Sequence, residues 1–88
     1  MPRDINYLYL QRASECGAGM TFEICEGTED GGIKEDGLYP VCTLIEDDEG
    51  KKWIELYPGN EIVRIPLDLF EGAVNQGRNE VHNEAHYD

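Results

Sequence analysis

The sequence predicts a mostly β domain: an antiparallel meander of about five strands with one short C-terminal helix. Three observations lead there. Apolar residues recur at a spacing of two over several short runs, Gly, Pro and Asp punctuate those runs, and helical spacing occurs only near the C-terminus. Eighty-eight residues hold one domain, and 40% apolar content with five Tyr, one Trp and two Phe supplies a folded core. The domain is placed at residues 1–77 and a polar tail at 78–88.

The first strand is expected from Ile5 to Arg12, where Asn6, Leu8 and Leu10 alternate with Ile5, Tyr7 and Tyr9. This leaves an aliphatic and an aromatic face, and either can turn inward. Two glycines lie in the connection from Ala13 to Gly19. Then Met20, Phe22 and Ile24 alternate with Thr21, Glu23 and Cys25, so Phe22 and Ile24 are expected in the core and Glu23 in water.

The stretch from Glu26 to Gly37 holds four glycines and five acids, and is expected as a mobile loop. A third strand is expected from Leu38 to Ile45. Pro40, which lacks an amide donor, puts its start at a sheet edge or before the ladder begins. Glu46-Asp47-Asp48-Glu49-Gly50 then turns into a strand from Lys51 to Tyr57, the strongest hairpin signal in the chain. Pro58-Gly59 suits the centre of a type II turn, and Glu61 to Ile65 completes a three-strand meander. Pro66 stands where a helix begins, with Asp68 in its first turn and Leu67, Phe70, Ala73 and Val74 on one face. Gly72 weakens this helix and Gly77 ends it, for a length of one to three turns.

Tyr39-Pro40-Val41, Asp47-Asp48-Glu49-Gly50, Trp53 and Ile65-Pro66-Leu67-Asp68-Leu69-Phe70 give the second half of the chain a pattern that resembles small SH3-like barrels of bacterial and phage proteins. That resemblance implies a closed barrel with a short helical turn after the last meander strand. The other arrangement is an antiparallel sheet with one helix packed across it.

Charge narrows the choice of partner. The chain carries 19 acids against seven bases, a formal charge of −12. Ten of the acids (Glu23, Glu26, Glu29, Asp30, Glu35, Asp36, Glu46, Asp47, Asp48 and Glu49) fall between positions 23 and 49, where Lys34 is the single cation. A field of one sign attracts cationic surfaces and repels nucleic acid and anionic lipid. Direct nucleic-acid binding is disfavoured, because Arg3, Arg12, Lys34, Lys51, Lys52, Arg64 and Arg78 form no basic stripe. Tyr7, Tyr9, Trp53 and Tyr57 have the strand spacing of core or protein-interface aromatics rather than a base-stacking platform.

No run reaches the ~20 apolar residues of a membrane span, and the N-terminus lacks a signal-peptide pattern, so a cytoplasmic location is expected. Cys16, Cys25 and Cys42 are odd in number and irregularly spaced, as in a reducing compartment.

No cofactor or metal is expected. With Gly50 in the glycine slot of an EF-hand loop, the first ligand falls on Ile45 and the bidentate glutamate on Leu56. Cys16, Cys25, Cys42 and either His82 or His86 match a zinc set by residue type but not by spacing. His82 and His86 lack the adjacent glutamate of a zincin helix, and Ser14 and Cys16 have no base and orienting acid nearby in sequence. The chain is therefore not expected to be an enzyme.

In size, acidity and lack of targeting signal or catalytic motif, the chain resembles small phage-encoded inhibitors of host defence, including anti-CRISPR proteins. That resemblance implies a nucleic-acid mimic that blocks a basic, nucleic-acid-handling protein. The expected binding residues are Glu26, Glu29, Asp30, Glu35, Asp36, Glu46, Asp47, Asp48 and Glu49 for attraction and orientation, with Trp53 and Tyr57 as aromatic anchors. The alternative is an SH3-like adaptor or accessory subunit that binds through the Trp53/Tyr57 face.

Overall fold

The alternating runs become a single sheet in a computed structural model that describes residues 3–15 and 19–82. Its strands are β1 (Leu8–Glu15), β2 (Gly19–Glu26), β3 (Cys42–Glu46), β4 (Lys52–Leu56) and β5 (Val63–Pro66), followed by helix α1 (Leu67–Glu80). The strands are antiparallel and stand side by side in chain order, so β1 and β5 are the edges of an open sheet.

Several strand boundaries move: β1 runs on to Glu15 rather than ending at Arg12, β2 starts at Gly19, β4 spans Lys52–Leu56 rather than Lys51 to Tyr57, and β5 spans Val63–Pro66 rather than Glu61 to Ile65. The first strand begins at Leu8 rather than Ile5, and one further bond in the same register, from the Gly27 amide to the Tyr7 carbonyl at 2.9 Å, follows the β1–β2 ladder. The third begins at Cys42 rather than Leu38, because the Leu38 backbone is engaged with Glu26. Pro40 thus lies before the ladder, where its missing amide costs nothing.

Register assigns the faces, since directly opposed residues point the same way. One face carries Leu8 and Leu10, then Met20, Phe22 and Ile24, then Cys42 and Leu44, then Ile54 and Leu56, then Val63 and Ile65. The other carries Tyr9 and Gln11, Glu23 and Cys25, Thr43 and Ile45, Trp53 and Glu55, and Arg64. Helix α1 packs on β4 and β5, where Leu67, Phe70 and Val74 gather over Ile54 on the apolar face.

The covered region is small. Among the described residues only Cys25, Cys42 and Ile54 are buried apolar side chains. Phe22 and Ile24, expected in the core, are half-buried, because the helix covers the sheet only at its β4–β5 side. Glu23, expected in water, is also half-buried and accepts a hydrogen bond from Gln11 Nε2 at 2.8 Å. The radius of gyration is 15.8 Å, against about 12 Å for a compact chain of this length.

The helix is longer than its glycines predict. It runs 14 residues through Gly72 and Gly77 and takes in Arg78, Asn79 and Glu80, which the sequence assigns to the tail. The Val81 amide donates to the Gly77 carbonyl at 2.9 Å and closes the last turn. Each glycine costs about 1 kcal/mol relative to alanine. Packing of Leu67, Phe70 and Val74 offsets that cost, and Asp68 and Arg78 complement the helix dipole at its two ends.

Candidate functional site

The 26–37 segment, expected to be mobile, is held together by hydrogen bonds. Glu26 organises it. Its main-chain amide donates to the Leu38 carbonyl at 2.9 Å and its carbonyl accepts from the Lys34 amide at 3.0 Å. Its side chain turns inward: Oε1 accepts from the Leu38 amide at 2.9 Å, and Oε2 accepts from Arg3 Nη1 at 2.7 Å and Lys34 Nζ at 3.2 Å. The residue is 2% exposed. Arg3 beside it, the Leu38 amide and Lys34 together lower its pKa to about 2, against the opposing effect of burial.

Two glycines make this closure possible. A Cβ on Gly27 would lie 2.7 Å from the Leu8 carbonyl carbon and 2.9 Å from the Tyr9 nitrogen. One on Gly37 would lie 2.8 Å from the Glu26 Cβ. At the loop tip the Thr28 hydroxyl bonds Asp30 Oδ1, and the Gly32 amide donates to both Thr28 Oγ1 and Asp30 Oδ1 at 3.1 and 3.2 Å. These bonds hold the Asp30 carboxyl below its ordinary pKa.

Asp47 has the same role in the second acidic loop. Its Oδ1 accepts from the Glu49 and Lys51 amides, each at 2.9 Å, and its Oδ2 accepts from the Trp53 indole Nε1 at 2.9 Å. The indole bond is the largest cause of its lowered pKa, with the Lys51 and Glu49 amides adding to it. Gly50, at φ +84°, supplies the left-handed residue that the turn needs.

The first loop therefore commits Glu26 and Asp30 to its own shape and the second commits Asp47, and both present the others. Glu29, Glu35, Asp36, Asp48 and Glu49 are exposed, and none forms an ion pair among the described residues. Glu46 is exposed and 3.6 Å from Lys52 Nζ, a surface pair of small worth.

The strands separate the two groups. Glu26 ends β2 beside the first loop, whereas Glu46 begins the second loop at the opposite end of β3. The rise per residue puts the loops roughly 15–20 Å apart. Screening at physiological salt acts over about 8 Å, so they form two acidic poles rather than one patch.

Trp53 and Tyr57 sit between the poles with their polar atoms engaged. The half-buried Trp53 ring carries Lys51 Nζ at 4.5 Å and the Arg64 guanidinium at 4.7 Å. Arg64 Nε also lies 3.8 Å from Glu55 Oε2. The Tyr57 hydroxyl bonds Thr43 Oγ1 at 2.7 Å and Glu55 Oε1 at 3.3 Å. Arg3 and Arg64 are residues of this surface that the sequence does not single out, and Lys34 is marked there only by its charge. The one local signal was the lone Lys34 within an acidic run.

Cys25 and Cys42 are free, buried thiols, and burial raises the pKa of each. No group of three His, Cys, Asp or Glu side chains is placed to hold a metal ion among the described residues. Cys16 and His86 lie outside those residues. No helix among them is long and apolar enough to cross a membrane. Comparison of the chain with protein-family models, curated proteins and solved structures returns no match in any of the three.

Proposed function

We propose that this chain is a small acidic interaction module that binds the cationic surface of a nucleic-acid-handling protein and inhibits or modulates it by charge mimicry, in the manner of phage anti-defence proteins. One observation carries the proposal. Glu26 and Asp47 hold their loops in fixed shapes, and Glu29, Glu35, Asp36, Asp48 and Glu49 extend from them without neutralising cations. Fixed loops lose little entropy on binding, so such charges act with more effect than the same charges on a mobile tail. Two poles separated by the sheet suit a basic groove or a pair of basic patches more than a single lysine cluster.

The test is affinity capture from the native host at low and high salt, followed by association kinetics with the captured partner. Substituting Glu29→Gln, Glu35→Gln, Asp36→Asn, Asp48→Asn and Glu49→Gln together, with Glu26 and Asp47 kept, should slow association about tenfold or more at low salt. The fold should be unchanged. A partner bound equally well by this variant and in 0.5 M salt would refute the charge mechanism. If Tyr57→Ala alone abolished binding while the acidic substitutions did not, the adaptor function through the Trp53/Tyr57 face would replace it.

A further inference from the structure

Among the described residues, the apolar face of β1, β2 and β3 is covered at Glu26 and Cys42 and open over most of the rest. Leu8, Leu10 and Met20 are 54%, 53% and 58% exposed, and Phe22, Ile24 and Leu44 beside them are half-buried. The register places all six on one side of the sheet, the side that helix α1 covers only at β4 and β5. Three exposed large side chains at about 100 Å² each already approach the largest apolar patch of an ordinary monomer.

The buried core is correspondingly short of material. A domain of this size needs most of its large apolar side chains out of water, yet only Ile54 and two cysteines are buried among the described apolar residues. Whatever covers the face is therefore part of what stabilises the fold, and a second copy of the chain is present wherever the chain is made.

We infer that this chain self-associates as a two-fold dimer in which the β1–β3 faces of two copies pack on each other as a sandwich. Three strands of up to eight residues span roughly 15 Å by 25 Å. With its side chains such a face offers on the order of 600 Å² per copy, which reaches the ~1,200 Å² total at which stable interfaces begin. Sheets packed this way stand about 10 Å apart with their side chains interdigitated.

Charge is compatible with this occupant. Within the face, Arg12 stands with Glu46 and Glu26, of which Glu26 is paired with Arg3 and Lys34 and Glu46 lies beside Lys52 of β4, so it lacks the acidic excess of the loops. Each pole lies at an end of the sheet, beyond the apolar contact. Two copies of net charge −12 still repel at long range, and that gives the dimer a signature. Salt screens the repulsion and strengthens self-association, whereas it weakens attraction to a basic partner. Failure of the dimer and failure of the proposed function thus read out separately.

The test is sedimentation equilibrium of the full chain from 1 to 200 µM in 0.05 and 0.5 M salt, for wild type, Leu10→Lys and Leu69→Lys. Leu69 is exposed on the helix and belongs to no part of the face. The dimer predicts a mass of twice the 10.0 kDa chain, tighter in high salt. Leu10→Lys should weaken it by about tenfold or more, the scale of one lost buried leucine, and Leu69→Lys should leave it unchanged. Because wild type is read directly, a Leu10→Lys chain that fails to fold does not spare the proposal. A wild-type monomer at 200 µM in 0.5 M salt overturns it, whether or not another protein covers the face. So does a dimer that a folded Leu10→Lys chain retains at full strength.

Discussion

Adding one methyl group at Gly27 and at Gly72 should move stability in opposite directions. At Gly27 the new Cβ would lie 2.7 Å from the Leu8 carbonyl carbon, 2.9 Å from its oxygen and 2.9 Å from the Tyr9 nitrogen. These are backbone atoms of a paired strand, and relief requires β1 to move by several tenths of an ångström relative to the loop. That shift also strains the bond from the Gly27 amide to the Tyr7 carbonyl and the Glu26 cluster next to it. Overpacking of this kind costs about 1–3 kcal/mol. At 4–8 °C per kcal/mol for a domain of this size, Tm should fall by roughly 5–20 °C.

At Gly72, inside helix α1, the same methyl meets no atom within 4 Å. Alanine there should gain about 0.5–1 kcal/mol from helix propensity and raise Tm by a few degrees. Thermal unfolding followed by far-UV circular dichroism measures both, at one fixed concentration because self-association shifts Tm. A Gly27→Ala chain that melts within 2 °C of wild type would refute the close approach of the loop to β1, and with it the account of how Glu26 is held.

The remaining predictions concern the two organising carboxylates and the thiols. Glu26 has a folded pKa of about 2 against an ordinary 4.5, so the folded state binds its proton less tightly than the unfolded chain. Its stabilisation is complete above about pH 5 and is lost as pH falls toward 2. The Tm gap between wild type and Glu26→Gln should therefore be widest at neutral pH and close in acid; a gap constant from pH 7 to 2 would contradict the ion-paired carboxylate. Asp47→Asn should move Trp53 fluorescence to longer wavelength while far-UV dichroism stays the same, because the indole N–H loses its charged acceptor. An unchanged emission maximum would show that the bond does not hold the ring. In a Cys16→Ser chain, Cys25 and Cys42 should resist a thiol reagent at pH 8 and react fully in denaturant, as burial and raised pKa require. Stoichiometric reaction of the native protein within minutes would count against that burial.

Local rules carried the order of the strands and most of their positions. Pro40, Asp47 to Gly50 and Pro58-Gly59 mark connections by their own backbone preferences, and short connections make strand neighbours antiparallel. The helix start at Pro66-Leu67 was legible for the same reason, whereas its end was not. Propensity counts Gly72 and Gly77 against the helix but does not include the gain from setting Leu67, Phe70 and Val74 over Ile54. The acidic surface was legible as a composition. The division of labour within it was not, because Glu26 and Asp47 look like their neighbours until Arg3, Leu38 and Trp53 are brought to them from other parts of the chain.

The sequence by itself determined a small β meander, a net charge of −12 and the two segments that carry the excess, since turn chemistry, alternation and charge are properties of neighbours along the chain. Only the tertiary structure decided that the excess forms two poles, that Glu26 and Asp47 hold their loops closed, and that most of the β1–β3 face is left open among the described residues. These are relations between distant residues, set by strand register and by where a single helix comes to rest.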